Sequence, residues 1–329
     1  MTKASRTTPP PMPDPRILVA TGSFDATADF VVEELNRRGI PLARIDTGAF
    51  PDSVDLSATF GQDGWRGRLA EGARTVRLED LRAVLWRRPS NFPAGSVEAG
   101  PSREFASREA RSGMMGVLYS LPDVAWVNHP LAIMACTKPA QLAAFATAGL
   151  LVPATWIGNV PQDHGSFCAK ESAVSKTLGP IAYDGPEGYQ VLYVARVPPE
   201  HYGHPRARAT ANFLQHEIRD KVVEYRVAVV ADRLFISEAH SSVPYLDVRA
   251  AGRDAVTYTP GTLPEAVRTG IRTVTRGFGL VFAAWDLVQD ATGTVWALEM
   301  NPNGQWAFTP DRDDICRAIA DCLEEAATT

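Results

Sequence analysis

Cysteine is scarce in this chain of 329 residues, and the few cysteines are not arranged as a framework. Cys136, Cys168, Cys316 and Cys322 form no CxxC pair, and no histidine cluster lies near them in the sequence. We therefore expect neither a disulfide scaffold nor a zinc site. Reduced thiols are typical of a cytoplasmic protein, which is the location we expect.

Long apolar runs and an excess of positive charge are also missing. No stretch reaches membrane-spanning length, and residues 1–15 carry no apolar signal core, so we expect no membrane partner. The net charge of -5 argues against a nucleic-acid partner held by bulk positive charge. The Pro and Thr content of residues 1–15 predicts a disordered lead-in.

A glycine-rich phosphate loop is the third absence. The nearest candidate, Thr21-Gly-Ser23, lacks GxGxxG spacing and is more typical of a plain strand-to-helix turn. An apolar run over residues 16–21 precedes it, and helical spacing over residues 25–38 follows it. A further strand pattern covers residues 41–46. This strand, helix, strand order predicts an open α/β sheet at the start of the chain.

The remaining pattern predicts a mixture of strands and helices. We expect strands or hairpins at residues 54–69, 83–86, 124–128, 153–157, 173–176, 212–218, 224–231, 233–239, 281–287 and 294–300. We expect helices at residues 103–121, 131–148, 263–277 and 315–326. Residues 159–165 have loop composition, and residues 183–210 predict hairpins with a mobile loop.

Three oxygen-bearing residues near the C-terminus carry the clearest chemical signal. Glu299 and Asn301 are two residues apart, so on an extended strand their side chains point to the same face. Asp286 lies on the expected partner strand, and three such oxygens suit Mg2+. A solvated hairpin ending in a turn at residues 301–304 is the alternative. For an isolated Glu-x-Asn motif the hairpin is favoured in about nine cases of ten, so the residues upstream decide between a hairpin and a metal site.

That context consists of basic residues at suitable places upstream. Lys138 on a helix and Lys176 at a strand end can each neutralise nucleotide phosphate. The segment 213–218 can present backbone groups to an adenine ring, and Arg226 can reach a phosphate or an acyl phosphate. The alternative is an edge strand followed by a solvated charge cluster.

In this order the features resemble the ATP-grasp superfamily. Within it the chain resembles the maturases of ribosomally made peptides, the graspetide synthetases, including the microviridin-type macrocyclases. The resemblance covers residues 16–325. It rests on Trp86-Arg-Arg-Pro89, Asn128-His-Pro130, Thr137-Lys138, Gly149-Leu-Leu-Val-Pro153, Glu224-Tyr-Arg-Val227, Leu246-Asp-Val-Arg249 and Glu299-Met-Asn-Pro-Asn-Gly-Gln-Trp306.

The resemblance implies an α/β (α+β) chain with the ATP-grasp fold and an N-terminal open α/β pre-ATP-grasp domain. The expected divisions are a pre-ATP-grasp domain at 16–127, a central subdomain at 128–210 and a C-terminal subdomain at 211–329. It also implies roles: nucleotide binding by Lys138, Lys176, Gln215, His216, Glu217, Ile218 and Asn301, Mg2+ binding by Asp286, Glu299 and Asn301, and catalysis by Arg226, Arg249 and Asp247.

The implied reaction uses ATP and Mg2+ to activate a carboxylate as an acyl phosphate, which a hydroxyl or an amine then displaces. The implied partner is a precursor peptide with leader and core, whose side chains become joined by an ω-ester or ω-amide bond. A homodimer is also implied. Two alternatives stay open: an ATP-grasp ligase acting on a free amino acid or a protein terminus, and a nucleotide-binding protein without catalysis.

Overall fold

A parallel sheet and an antiparallel sheet build the first of two units into which the chain folds. A computed structural model describes residues 14–179, 182–185, 188–241, 246 and 255–328. Unit 1 runs to Pro130 and resumes at Asp314, and unit 2 is Leu131–Asp313. The elements of unit 1 up to Pro130 are β1 (Ile17–Ala20), α1 (Ala26–Arg37), β2 (Leu42–Ile45), β3 (Asp55–Gly61), β4 (Gly64–Glu71), β5 (Arg74–Arg77), β6 (Ala83–Trp86), α2 (Pro101–Tyr119) and β7 (Ala125–Val127), with short 3-10 helices at Thr47–Ala49 and Leu78–Asp80.

The parallel sheet of unit 1 has the strand order β2-β1-β6-β7, and β3, β4 and β5 form the antiparallel sheet. Every residue of β1 is buried, which explains its uninterrupted apolar sequence. The Asp25 side chain accepts a hydrogen bond from the backbone N–H of Ala28 and so caps α1. Gly39 follows that helix with a positive φ of 72°.

A buried ion pair lies where the chain leaves β1 and β6. Asp25 and Arg87 are 4% and 5% exposed, and Arg87 Nε is 3.6 Å from Asp25 Oδ2. Thr21 Oγ1 also donates to that carboxylate at 2.9 Å. Burial lowers the pKa of Arg87 to about 10, although the negative charge of Asp25 by itself would raise that pKa. The Arg-Arg-Pro motif therefore has a structural use in unit 1.

The C-terminal helix (Arg312–Thr328) completes unit 1. Arg38 Nη1 lies 2.8 Å from Asp321 Oδ1 and 2.7 Å from Glu324 Oε2. Ile315, Ile319 and Leu323 are each at most 3% exposed. Chain order alone groups this helix with residues 211–313, whereas its ionic contacts lie with Arg38 of unit 1.

Two antiparallel sheets form the frame of unit 2. Its elements are α3 (Pro130–Ala135), α4 (Lys138–Thr147), β8 (Thr155–Gly158), α5 (Pro161–Lys170), β9 (Ala173–Lys176), β10 (Ala182–Gly185), β11 (Gly188–Val191), β12 (Ala195–Arg196), β13 (Asn212–His216), β14 (Lys221–Val230), β15 (Arg233–Ser241), β16 (Val256–Pro260), α6 (Glu265–Gly277), β17 (Phe282–Asp290) and β18 (Val295–Asn301), with 3-10 helices at Pro199–His201 and Pro205–Ala209. The sheet orders are β12-β9-β13-β8 and β16-β15-β14-β17-β18, and β10 pairs with β11.

One face of the five-stranded sheet holds the core of unit 2. Alternate residues of β14 and β17, such as Val227 and Trp285, pack in one cluster with Phe145 of α4 and Ile271 of α6. The rings of Phe145 and Trp285 have centroids 4.7 Å apart. Because side chains alternate along a strand, the residues between these face the other way. We call that second side the polar face; it carries the charged residues described below.

Two expectations about local structure are wrong, and not every strand was expected. The single helix over 131–148 is broken into α3 and α4, because Thr137 is extended and Pro139 stands in the first turn of α4, where a missing N–H costs nothing. Within the expected loop 159–165, residues 161–165 are helical, since Pro161 begins α5 in the same way. Strand β16 was not expected at all. The hairpin of β14 and β15 and that of β17 and β18 are confirmed.

Candidate functional site

Register places three charged side chains in one row across the polar face of unit 2. Arg226 of β14 stands opposite Asp286 of β17, and Asp286 stands opposite Glu299 of β18. Opposed residues in antiparallel strands lie on the same face, with Cβ atoms about 4.5–5.5 Å apart. Distant segments therefore converge on one site: a cation, then two carboxylates.

Arg226 is held between two acids. Its Nη1 lies 3.2 Å from Asp286 Oδ1, and its Nη2 lies 3.1 Å from Glu224 Oε2. Glu224 is 8% exposed and also accepts from Lys221 Nζ at 2.8 Å. A planar guanidinium fixed at two points is pre-oriented for a bidentate acceptor such as phosphate. Sequence reasoning missed Lys221, although it lies three residues before Glu224.

Lys138 lies beside Glu299. Its Nζ is 3.4 Å from Glu299 Oε1 and 5.9 Å from the centre of the Phe213 ring. Lys138 is the first residue of α4, and Gln141 of the same helix accepts from the backbone N–H of Met300 at 2.9 Å. That hydrogen bond fixes β18 between Glu299 and Asn301. The helix break at Thr137 thus sets the position of Lys138.

Asn301 ends β18 and begins a tight turn. Its Oδ1 accepts from the backbone N–H of Asn303 at 2.9 Å, and Gly304 N–H donates to Asn301 O at 3.2 Å. A Cβ on Gly304 would stand 2.3 Å from the Cβ of Ala284, so only glycine fits there. A turn is therefore present at residues 301–304, and Glu299 and Asp286 lie on the strands before it.

The donor set on the polar face fits Mg2+. Asp286 and Glu299 offer carboxylate oxygens and Asn301 an amide oxygen, and hard oxygen ligands are those that Mg2+ prefers. Within the described residues, no group of three or more His, Cys, Asp or Glu side chains could hold a metal ion. Two carboxylates with room for phosphate oxygens agree with the few protein ligands usual for Mg2+.

Lys176 is positioned by a buried amide. Gln215 is 1% exposed; its Oε1 accepts from Lys176 Nζ at 2.6 Å, and its Nε2 donates to Thr155 Oγ1 at 3.0 Å. Phe213, which Lys138 overlies, pairs directly with Lys176 across β13 and β9. Lys138 and Lys176 therefore each lie next to Phe213.

His216 and Glu217 are placed differently from their neighbour Gln215. The His216 ring stacks on Phe167 of α5 with centroids 4.2 Å apart. The Glu217 carboxylate accepts from Arg196 at 2.8 and 2.6 Å and from Ser172 at 2.9 Å. Their backbone N–H groups already donate to the carbonyls of Ala154 and Ser172. Neither N–H is thus available to an adenine ring.

A cavity of about 970 Å³ adjoins this segment. Glu217, Ile218, Lys221 and Glu224 are among its lining residues. Small-molecule and cofactor sites typically measure roughly 300–1,000 Å³. The cavity thus extends from the end of β13 to the acid that holds Arg226, and two of the expected adenine-binding residues, Glu217 and Ile218, line it. Asp247 and Arg249 lie outside the described residues.

One residue of the polar face was not anticipated. Tyr258 of β16 pairs with Ala239, which pairs with Glu224, so all three share the row next to that of Arg226. The alternation Val-Thr-Tyr-Thr-Pro over residues 256–260 could have indicated the strand, but nothing in the sequence connects this tyrosine with Glu224. Only the register of the sheet brings Tyr258 beside Glu224.

Comparison with known proteins assigns the fold. The chain has the fold of ATP-grasp ligases, and residues 16–134 match the model of the MvdD pre-ATP grasp domain. The RiPP-associated ATP-grasp ligase of Chryseobacterium gregarium, in complex with ADP and a leader and core peptide, is 23% identical with a TM-score of 0.86, covering 94% of this chain and 97% of that chain. No curated protein matched the chain.

Two further solved structures are similar over nearly the whole chain. Macrocyclase MdnC of Microcystis aeruginosa MRC, bound with precursor peptide MdnA, is 23% identical with a TM-score of 0.83, covering 94% of this chain and 99% of that chain. ATP-grasp ligase PsnB, complexed with minimal precursor, Mg and ADP, is 22% identical with a TM-score of 0.75, covering 98% and 100%. The expected fold, with its N-terminal pre-ATP-grasp domain, is confirmed.

Proposed function

We propose that this chain is an ADP-forming ATP-grasp ligase that joins side chains within a ribosomally made precursor peptide. One observation carries the proposal. Arg226, Asp286 and Glu299 form a single row on the polar face, with Lys138 at its end. A binding site needs fewer charges than this, whereas phosphoryl transfer needs cations and metal ligands at the same point.

Each charged group has a place in that reaction. Lys138 and Lys176 neutralise the nucleotide phosphates, and Arg226 faces the phosphoryl group that is transferred. Asp286, Glu299 and Asn301 would hold Mg2+, which supplies further neutralisation of phosphate charge. Ile218 contributes to the adenine pocket. From the resemblance, Arg249 is assigned to the activated carboxylate and Asp247 to the proton of the nucleophile.

The chemistry follows from the low reactivity of a carboxylate. Transfer of the terminal phosphoryl group of ATP to one carboxylate oxygen gives an acyl phosphate and ADP. A Thr or Ser hydroxyl, or a Lys amine, attacks the carbonyl carbon and loses its proton, and inorganic phosphate leaves. Positioning and charge neutralisation are the main contributions of the protein to such a reaction.

The choice of a peptide substrate rests on fold and motif together. Each of the three similar structures contains a peptide: a leader and core peptide in one, and a precursor peptide in the other two. The N-terminal domain of this chain matches the model of the MvdD pre-ATP grasp domain. These likenesses favour an Asp or Glu side chain of a peptide over a free amino acid as the substrate.

We further propose that the enzyme is cytoplasmic, has no nucleic-acid partner and acts as a homodimer. Light scattering would test the oligomeric state. Among the described helices, none has the length and apolarity to cross a membrane.

The test uses the purified chain, MgATP and Thr-, Asp- and Glu-rich peptides encoded in the reading frames beside its gene. We expect each new bond to remove one water from the peptide and to yield one ADP and one phosphate. Mass spectrometry and nucleotide chromatography measure both products. Release of AMP and pyrophosphate would contradict the acyl-phosphate route. Product formed only with free amino acids or a protein terminus would favour the other ligase class.

A further inference from the structure

Tyr258 occupies a defined place on the polar face. Its row across the sheet runs Tyr258, Ala239, Glu224, and the adjacent row contains Arg226. Ala239 separates Tyr258 from Glu224 by a single methyl group. A large side chain on the edge strand can therefore extend over that methyl group towards the charged cluster.

The ring of Tyr258 is braced from one side. Its centroid lies 5.0 Å from that of Phe308, with the planes at 47°. Phe308 follows the turn at Gly304, so the segment after β18 fixes the tyrosine. Aromatic pairs of this kind account for the ring but leave the hydroxyl unexplained, because phenylalanine would pack equally well.

The hydroxyl lies within electrostatic range of three charges. Burial raises the pKa of Tyr258; Arg226 opposes that change, and Asp286 and Glu224 add to it. A phenol is a neutral O–H donor at physiological pH, since its ordinary pKa is about 10. On the polar face, the row of Tyr258 adjoins the row that contains Arg226, assigned to the transferred phosphoryl group, and Asp286, assigned to the metal.

We infer that the Tyr258 hydroxyl contacts the reacting carboxyl group and donates a hydrogen bond to the oxygen that does not receive phosphate. The inference rests on the proposed function. As the nucleophile attacks, that oxygen gains negative charge, and a donor fixed beforehand stabilises the charge as it develops. The carbonyl then re-forms as phosphate leaves, and the tyrosine keeps its proton throughout. Arg226 acts on the phosphoryl group, and Tyr258 acts on the acyl group.

The decisive variant is Tyr258→Phe, which keeps the ring contact with Phe308 and removes only the hydroxyl. Loss of one oxyanion donor costs about a hundredfold to a thousandfold in other enzymes, and a neutral donor in a partly exposed site should cost about tenfold to a hundredfold in kcat. We expect KM for peptide, ATP affinity and Tm to change little, since ring packing and the nucleotide contacts persist.

Tyr225→Phe is the matched control. Tyr225 is on the core face, and its hydroxyl donates to Gln289 Oε1 at 3.2 Å. Loss of the Tyr225 hydroxyl should lower Tm slightly and leave kcat unchanged. Single-turnover cyclisation of the peptides named above, nucleotide titration and thermal unfolding give the three readouts. The inference is overturned, while the proposed function stands, if Tyr258→Phe keeps the wild-type kcat. It is also overturned if ATP affinity falls by the same factor as kcat, or if a large fall in Tm accompanies the loss of rate. A wild type that makes no product overturns the proposed function and the inference together.

Discussion

Arg226 and Asp286 face each other on neighbouring strands, with 3.2 Å between Nη1 and Oδ1. The pair joins the arginine that we assign to phosphate with a carboxylate that we assign to metal. Before nucleotide binds, each neutralises the other. In the proposed reaction, Arg226 would exchange this partner for phosphate and Asp286 would exchange it for Mg2+.

The first prediction concerns the shape of the Arg226 side chain. Arg226→Lys keeps the charge but cannot present a planar fork to two phosphate oxygens. We expect ATP affinity within about threefold of wild type and a turnover about tenfold to a thousandfold lower, because charge spreads over those oxygens in the transition state. Nucleotide titration and single-turnover cyclisation measure the two quantities.

Arg276→Lys serves as its control. Arg276 is exposed on α6 and pairs with exposed Asp232, a contact worth under about 1 kcal/mol. This variant should behave as wild type in both assays. If Arg226→Lys also cyclises at the wild-type rate, Arg226 is merely a structural partner of Glu224.

The second prediction concerns Glu299. Glu299→Gln keeps the size of the side chain and removes the charge that faces both Lys138 and the assigned metal site. We expect turnover to fall by about a hundredfold or more, and half-saturation to require about tenfold more Mg2+. Titrating MgCl2 at fixed ATP measures both effects. Glu265→Gln, an exposed acid on α6, should leave the Mg2+ dependence unchanged; an unchanged dependence in Glu299→Gln would refute the metal assignment.

The third prediction separates Lys176 from its support. Gln215→Met removes the buried oxygen that holds Lys176 Nζ while keeping the volume. We expect the Kd for ATP to rise about threefold to tenfold, which is roughly one kcal/mol, the scale of one hydrogen bond. Thr155→Val removes the contact on the far side of Gln215, together with the hydrogen bond that Thr155 Oγ1 donates to Pro153 O at 2.8 Å, and leaves the bond between Gln215 and Lys176. It should raise that Kd less than about twofold, and an equal rise in both variants would assign the effect to general loosening of the sheet.

The fourth prediction concerns acid stability through Asp25. Burial alone would raise its pKa, but the charge of Arg87 and hydrogen bonds from Thr21 and Ala28 lower the pKa below the usual 3.8. Because the folded pKa lies below the unfolded one, Asp25 stabilises the protein above about pH 4, and this contribution is lost as pH falls through the folded pKa.

Urea unfolding at pH 7 and at pH 3 measures that contribution. Asp25→Asn leaves Arg87 without its buried counter-charge and should cost about 3–5 kcal/mol at pH 7. The difference from wild type should shrink towards pH 3. Asp232→Asn, in an exposed pair with Arg276, should cost under about 1 kcal/mol at both pH values. A constant difference for Asp25→Asn across the two conditions would contradict the lowered pKa.

The periodicity of apolar residues was sufficient to predict most of the regular helices and strands, but not the helix boundaries at proline residues. Strands such as β1 and hairpins such as β14 with β15 follow from apolar runs and turns. The helix break before Lys138 and the start of α5 at Pro161 could not be predicted from these patterns. Proline can either end or begin a helix, and the sequence alone does not say which of the two it does at a given position. Strand β16 does alternate, with Val256, Tyr258 and Pro260 separated by Thr257 and Thr259, but this pattern is only five residues long and ends in proline.

The sequence by itself determined which chemical groups are present: the two lysines, Arg226, and the oxygens of Asp286, Glu299 and Asn301. Tertiary structure decided which of them meet. A register shift by a single residue would turn Glu299 from the polar face into the core, and no local pattern encodes the register of β18 on β17. For the same reason Gln215 contacts Lys176 while His216 contacts Phe167 of α5, and Tyr258 lies in the row next to that of Arg226. The packing of the C-terminal helix on Arg38 likewise depends on contacts between residues nearly three hundred positions apart, which only the folded chain brings together.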